Sequence, residues 1–287
     1  MKKLTFFDIM VYIISGLLVL IVAYPLILVL SNSVSDPSYV ARGEVVFLPK
    51  GLNFDGYIHI FQDKDILTGY ANTIFYTVIG TLINLLVTLP CGYVLSRQNL
   101  PGKKIFMTFF MITMYFSGGL IPTFLVIKNL GLYNTRWVLL LLGAFSMYNC
   151  IICRSFFAAL PKELEEAACI DGCSDIGIFT RIVLPLSKAL LGVMVLYFAL
   201  AHWNSYFSAM IYLQDSSKWP LQMFLRSILI EAQAQIQQGE EIEGAAIELE
   251  ALIRYGVIVV SSLPLLIIYP FLQKYFDKGV LIGSVKG

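Results

Sequence analysis

Apolar positions along this chain neither alternate nor recur with a helical period; they run on. Six stretches, 9–30, 71–95, 105–127, 137–157, 189–213 and 255–272, are almost free of charged residues. A helix rises about 1.5 Å per residue, so about 20 apolar residues match a hydrocarbon core about 30 Å thick. Barrel strands would be about ten residues long and would alternate in polarity, which these runs do not. The pattern predicts an all-α integral membrane protein with six transmembrane helices in a single domain, 1–287. The first run, behind Lys2 and Lys3, is longer than a signal-peptide core and has no small-residue cleavage site directly after it, so it reads as an uncleaved span.

Composition and charge sharpen this picture. Of 287 residues, 58% are hydrophobic and 14% charged, against about 25% charged in a soluble domain. A net charge of +1 and the lack of a basic tail exclude nucleic acid as a partner. Orientation follows from cations near the span ends. With the N-terminus inside, the inner segments 1–8, 96–104, 158–188 and 273–287 hold Lys2, Lys3, Arg97, Lys103, Lys104, Lys162, Arg181, Lys188, Lys274, Lys278 and Lys286. The short loop from Arg97 to Lys104 carries three cations and no acid. Six spans then return the C-terminus to the same side, so both termini are expected in the cytoplasm. Arg154, one turn from the inner end of its run, can snorkel to that surface.

Other residues add little chemistry. Cys91, Cys150, Cys153, Cys169 and Cys173 all fall in the inner half of the membrane or in an inner loop, and the Cys150-x-x-Cys153 pair has no second ligand pair, so packing is expected. Pro25, Pro90, Pro122 and Pro264 lie within runs and are expected to kink them. The acids Glu240, Glu241, Glu243, Glu248 and Glu250 read as a solvated outer face. His59 falls in an outer loop; His202 stands alone in the fifth run, without a carboxylate neighbour in sequence for a catalytic dyad or a metal site. No G-x-x-x-x-G-K-[ST] and no H-E-x-x-H occurs, so the chain neither cradles nucleotide phosphates in the usual way nor carries a zincin motif. Ion-coupled carriers need carboxylates within the membrane, and the runs lack them.

The segment from 161 to 186 is different. Pro161 can open a short helix at its first turn. Glu163, Glu165 and Glu166 follow and complement the helix dipole. Gly172 is placed to end that helix, and Ser174 to cap a second one with Asp175 in its first turn. Pro185 then breaks the chain ahead of the fifth run. Two short helices at a fixed angle are expected, a rigid elbow at the membrane surface.

Glu166-Ala167-Ala168, three residues, Gly172, nine residues, Ile182, one residue and Leu184-Pro185 together resemble the EAA motif of bacterial ABC importer permeases. Trp203-Asn204, Ile211-Tyr212-Leu213, Asn72, the Tyr93-x-Leu95-Ser96-Arg97 stretch and the C-terminal residues from Tyr269 to Gly287 resemble the maltose-permease-like carbohydrate importers, in particular their complex-saccharide branch. Ala189 departs from that pattern, where many relatives carry proline. The resemblance implies a type I ABC importer permease fold and a multi-pass protein of the bacterial cytoplasmic membrane. It implies import of an oligosaccharide or other carbohydrate, with a non-sugar solute as the alternative.

It also implies partners: a second, homologous permease in a heterodimer, two ATP-binding subunits and an extracellular solute-binding protein. Hydrolysis, with its ATP and Mg, would reside in the ATP-binding subunits, leaving this chain without a cofactor and not an enzyme. The ATPase-coupling residues carried over are Glu166, Ala167, Ala168, Asp171, Gly172, Leu184 and Pro185, with small Ala167 and Ala168 expected to let the loop approach the wall of the ATPase cleft. For the substrate path the candidates are Trp203, Asn204, Tyr206, Asn149 and Tyr115, beside Asn84, Ser146 and Ser205. The plainer role for any of these is a hydrogen bond between helices, about 0.6 kcal/mol each.

Overall fold

The structure, a computed structural model, describes residues 5–238 and 253–270. Lys2, Lys3, the acids from Glu240 to Glu250 and the C-terminal match beyond Pro270 lie outside the described residues. In chain order the helices are α1 (Phe6–Ser33), α2 (Pro37–Ala41), α3 (Asp55–Gln62), α4 (Lys64–Ser96), α5 (Lys103–Tyr115), α6 (Leu120–Asn129), α7 (Arg136–Leu141) and α8 (Met147–Ala158). They continue as α9 (Lys162–Ile170), α10 (Asp175–Ile178), α11 (Leu184–Leu186), α12 (Lys188–Trp203), α13 (Phe207–Tyr212), α14 (Leu221–Gln238) and α15 (Ile253–Pro270).

The six apolar runs do not become six equal rods. Those in α1, α4 and α15 are uninterrupted and apolar enough to cross a bilayer. The third run is broken at 116–119, where α5 and α6 meet at 112°. The fourth breaks at 142–146, between α7 and α8, and the fifth at 204–206, between α12 and α13. Each break has a local cause. Gly119 adopts φ +88°, which an L side chain rarely tolerates, and it precedes α6 as its cap. Gly143 lies in the second break, and Asn204 ends α12 with its side-chain amide turned back onto the Leu200 carbonyl, 2.9 Å away. The prolines behave unevenly: α1 and α4 run through Pro25 and Pro90, whereas Pro122 sits in the first turn of α6.

The described residues sort into two compact units, 5–67 with 224–238 and 253–264, and 68–223 with 265–270. In the first, α1 is apolar on every face and its side chains stay exposed until Ser31, Asn32 and Ser33. A helix apolar all round belongs in lipid or against a partner. Its end is tied down by hydroxyls: Ser31 donates to the Phe47 carbonyl at 2.7 Å and Tyr57 to Ser33 at 2.8 Å. Gly256 leaves room for Ile60, whose Cδ1 would lie 2.8 Å from an added Cβ.

The second unit packs around α4. Toward one end of α4, Tyr76 joins Val138, Leu140, Ala209 and Tyr212; toward the other, Leu89 and Tyr93 join Cys153, Phe157, Met194 and Phe198. Between them sits Asn84, 1% exposed. Its amide nitrogen donates to the Gly143 carbonyl at 2.5 Å, and its oxygen lies 2.7 Å from His202 Nε2. A carbonyl only accepts, so the Asn84 nitrogen must face Gly143; its oxygen then faces the imidazole, and Nε2 carries the proton. Gly80, one turn away on α4, makes space for that ring, because a Cβ there would stand 2.4 Å from it.

Removing this amide strands the buried His202 Nε2 and releases the Gly143 carbonyl. Asn84→Leu should cost about 1–3 kcal/mol, and Gly80→Val should cost at least as much by displacing the His202 ring. Thermal melts of the detergent-solubilised protein, followed by its retention as a monodisperse species, provide the measurement. Melting points equal to wild type in both variants would show that the network carries no stability.

Candidate functional site

The elbow forms as the local chemistry dictates, with one shift. Pro161 is the cap of α9 rather than its first residue, and Glu163 and Glu165 fill the first turn. Gly172 closes the helix at φ +73°, and the Cys173 N–H returns to the Ala168 carbonyl at 2.9 Å. Ser174 caps α10 by accepting from the Gly177 N–H at 3.2 Å. The chain stays helical through a π turn, Phe179–Val183, into α11 with Pro185. Ser187, fully buried, donates to the Val183 carbonyl at 2.7 Å, and Asp175–Leu186 meets α12 at 85°.

The elbow has two faces. Its inner face is seated on α4 and α8: Ala168, 6% exposed, packs with Leu89, Tyr93, Phe157, Ile178 and Val183. The Tyr93 ring stacks on Phe179 with centroids 5.0 Å apart and meets Phe157 edge-on at 6.0 Å. The Arg97 guanidinium lies over the Tyr93 ring, 5.4 Å from its centroid, and pairs with the Glu165 carboxylate. The other face is open. Glu166, Ala167, Asp171 and Pro185 are exposed there, and so are Ile170 at 86% and Ile176 at 77%. Beside it, a cleft of about 510 Å³ is lined by Arg97, Asn99, Lys162, Glu166 and Cys169 among others.

Of the seven coupling residues, Glu166, Ala167, Asp171 and Pro185 lie on the open face, Gly172 forms the turn that ends α9, and Leu184 is half-buried against the core. Ala168 faces its own chain, so of the two alanines Ala167 alone is turned outward. Helical spacing explains the split, since adjacent residues point about 100° apart.

The path candidates all fall near breaks. Tyr115, 72% exposed, is the last residue of α5. Asn149 lies in the first turn of α8, its N–H bound to the Ser146 hydroxyl at 3.4 Å. Asn204 and Tyr206 flank the break in the fifth run, and the Tyr206 hydroxyl donates to Met210 Sδ at 2.8 Å. Trp203 is buried, edge-on to Tyr70 at 6.4 Å. Asn72, matched by resemblance, is a tie: its amide donates to the Ser217 and Trp219 carbonyls at 2.8 and 3.0 Å and accepts from Arg136 at 3.0 Å.

Two pairs escaped sequence reasoning. Arg97 counted as an orientation cation and as part of the Tyr93-to-Arg97 resemblance, Glu165 only as a dipole acid, and nothing linked the two. Asn84 and His202 lie 118 positions apart, and no local pattern joins them.

Comparison with known proteins bears on the chain as a whole. Residues 66–282 match the family described as binding-protein-dependent transport system inner membrane component. Protein LplC of Bacillus subtilis (strain 168) is 42% identical over 263 residues, covering 92% of this chain and 89% of that protein. The polygalacturonan/rhamnogalacturonan transport system permease protein YtcP of the same organism is 41% identical over 281 residues, 98% of each chain. Among solved structures, a chain from a bacterial ABC transporter involved in import of the acidic polysaccharide alginate superposes with a TM-score of 0.84 at 34% identity, covering 94% of this chain and 96% of that one.

The two faces of the elbow should separate in mutants. Ala168→Trp forces a bulky ring into a packed seat, an overpacking cost of about 1–3 kcal/mol, and should lower the melting point of the isolated chain. Ala167→Trp should leave it unchanged. Gly172→Val should lower it too, because a β-branched residue is poorly tolerated at positive φ. Equal melting points for Ala167→Trp and Ala168→Trp would refute the assignment of faces.

Proposed function

The chain belongs to the family of binding-protein-dependent transport system inner membrane components, and on that premise we propose that it imports a carbohydrate chain, with the elbow as its docking element for an ATP-binding subunit. The observation that carries the docking role is the two-faced elbow: one side locked to α4 and α8, the other presenting Ile170 and Ile176 to solvent. Large apolar side chains on an otherwise polar surface mark a protein contact. Ala167 permits close approach at its centre, and Glu166 and Asp171 supply rim charge.

In this reading the working assembly holds a second, homologous permease, two ATP-binding subunits that carry ATP and Mg, and an extracellular solute-binding protein. The elbow faces the cytoplasm, as do both termini, and the whole chain acts as one transmembrane permease domain. ATP binding closes the partner pair, and the elbow passes that motion to the spans as alternating access. The cargo assignment draws on the similar proteins, one a polygalacturonan/rhamnogalacturonan permease and one an importer of an acidic polysaccharide. Asn204 and Tyr206, at the break in the fifth run, are the side chains proposed to meet the sugar, offering an amide and an aromatic face. Trp203 supports them from behind rather than lining the path.

Uptake of labelled oligosaccharides by cells with and without the intact chain tests the cargo, with neutral and uronic-acid oligomers compared. Asn204→Ala and Tyr206→Ala should reduce sugar-stimulated ATP hydrolysis while the complex still assembles. Ala167→Trp should abolish co-purification of the ATP-binding subunit with a stable chain. Wild-type uptake in all three variants would remove both the path and the docking assignment.

Orientation has its own test. A cysteine replacing Gly102 should react with an impermeant maleimide only from the cytoplasmic side, and one replacing Gln238 only from outside. Labelling of the Gly102 position from outside would invert the topology.

A further inference from the structure

The chain links the elbow directly to α8 and α12, but not to α4. The elbow nevertheless rests on the end of α4, and the contact has an unusual composition. Apolar packing alone, here Tyr93 on Phe179, is non-directional and allows one surface to slide over another. Arg97 adds a directional element. Its guanidinium lies over the Tyr93 ring and reaches Glu165 on α9, so one side chain meets both the α4 aromatic and the elbow.

The guanidinium is free for this task because another residue closes α4. Lys103 Nζ donates to the Arg97 and Ser96 carbonyls at 2.8 and 3.3 Å, satisfying the helix end. Glu165 is also distinguished from its neighbours. Glu163 and Glu166 are exposed, whereas the Arg97 and Glu165 side chains are 31% and 22% exposed. A partly buried pair is less screened than a fully exposed one.

Further along α4, Asn84 holds the Gly143 carbonyl and His202, at the breaks of the fourth and fifth runs. A displacement delivered to α4 by the elbow therefore arrives at both breaks.

We propose that Arg97 and Glu165 form a latch that fastens the elbow to α4, so that elbow movement drives α4 together with α12. Arg97 and Glu165 are positioning residues; neither touches nucleotide or cargo. The proposal rests on the reading of the elbow as the docking element, and the two can fail separately.

The test uses the whole transporter reconstituted in vesicles, with solute moved per ATP hydrolysed as the readout and co-purification of the ATP-binding subunit as the docking control. Arg97→Glu and Glu165→Arg should each keep that subunit bound and hydrolysing, while solute moved per ATP falls by about tenfold, the scale of coupling between paired charged neighbours. The double exchange, with the charges swapped, should recover to within about threefold of wild type. The milder Arg97→Lys and Glu165→Gln should show the same loss to a smaller degree, which keeps the question open to measurement if the reversals do not insert. Wild-type coupling in the single variants overturns the latch. So does a double exchange no better than either single, because the two residues would then act apart. Docking that survives Ala167→Trp overturns the docking reading instead, whatever the charge exchange shows.

Discussion

A peptide carbonyl in hydrocarbon finds no water, so every break in a membrane helix must be satisfied by protein. This chain breaks three of its runs near their middles, and the amide of Asn84 answers for two of those breaks at once, holding the Gly143 carbonyl on one side and the His202 ring on the other. Much of the second unit depends on this arrangement. It fixes the rotation of α4, because only one face of that helix carries both Asn84 and the Gly80 notch that admits the imidazole. With α4 set in rotation, Tyr93 and Arg97 are presented to the elbow at one end and Tyr76 to α7 and α13 at the other.

The elbow obeys a different constraint. An element proposed to pass force must not bend under it, and four local devices stiffen this one: the proline cap of α9, the left-handed Gly172, the Ser174 cap and the buried Ser187 hydroxyl. None needs the bilayer. Each is a short-range interaction written in adjacent residues, whereas the seat on α4 and α8 is long-range and apolar. The elbow thus keeps its shape through local hydrogen bonds and its place through packing.

That difference explains what was legible in the sequence. The glycine at the end of α9 and the cap at Ser174 could be read directly, because the residue types have a chemical reason to stand there. The apolar runs were equally plain. The breaks within them were not, because glycine, alanine and serine average into a hydropathy window as weakly apolar residues and hide a backbone turn. Burial was misjudged where two like residues adjoin: Ala167 and Ala168 are chemically identical, and only the phase of α9 against Leu89 and Tyr93 decides which one faces inward. Partnerships such as Asn84 with His202 are set by the packing of α4 against α12, and nothing within either helix announces them.

The lack of carboxylates in the membrane runs has a consequence for energetics. A protein with no intramembrane acid has no proton or sodium gradient to draw on through the usual residues, and the chain has no phosphate-binding loop either. On the docking reading, work enters through contact with a neighbour. The open face of the elbow, which carries Ile170 and Ile176 among polar residues and is backed by the packed core, is the surface proposed to receive it. A push there can spread along α12, which continues the elbow across an 85° turn, and along α4, which the chain does not join to it. The break after Trp203 ends α12, so force sent along α12 alone would meet the end of that helix before it reached α13. α4 is the longer unbroken helix, 33 residues against 16, and is tied at Asn84 to His202, just ahead of that point, and to Gly143 in the break of the fourth run. A transporter that must move several broken helices together therefore gains most by gripping a helix that is whole.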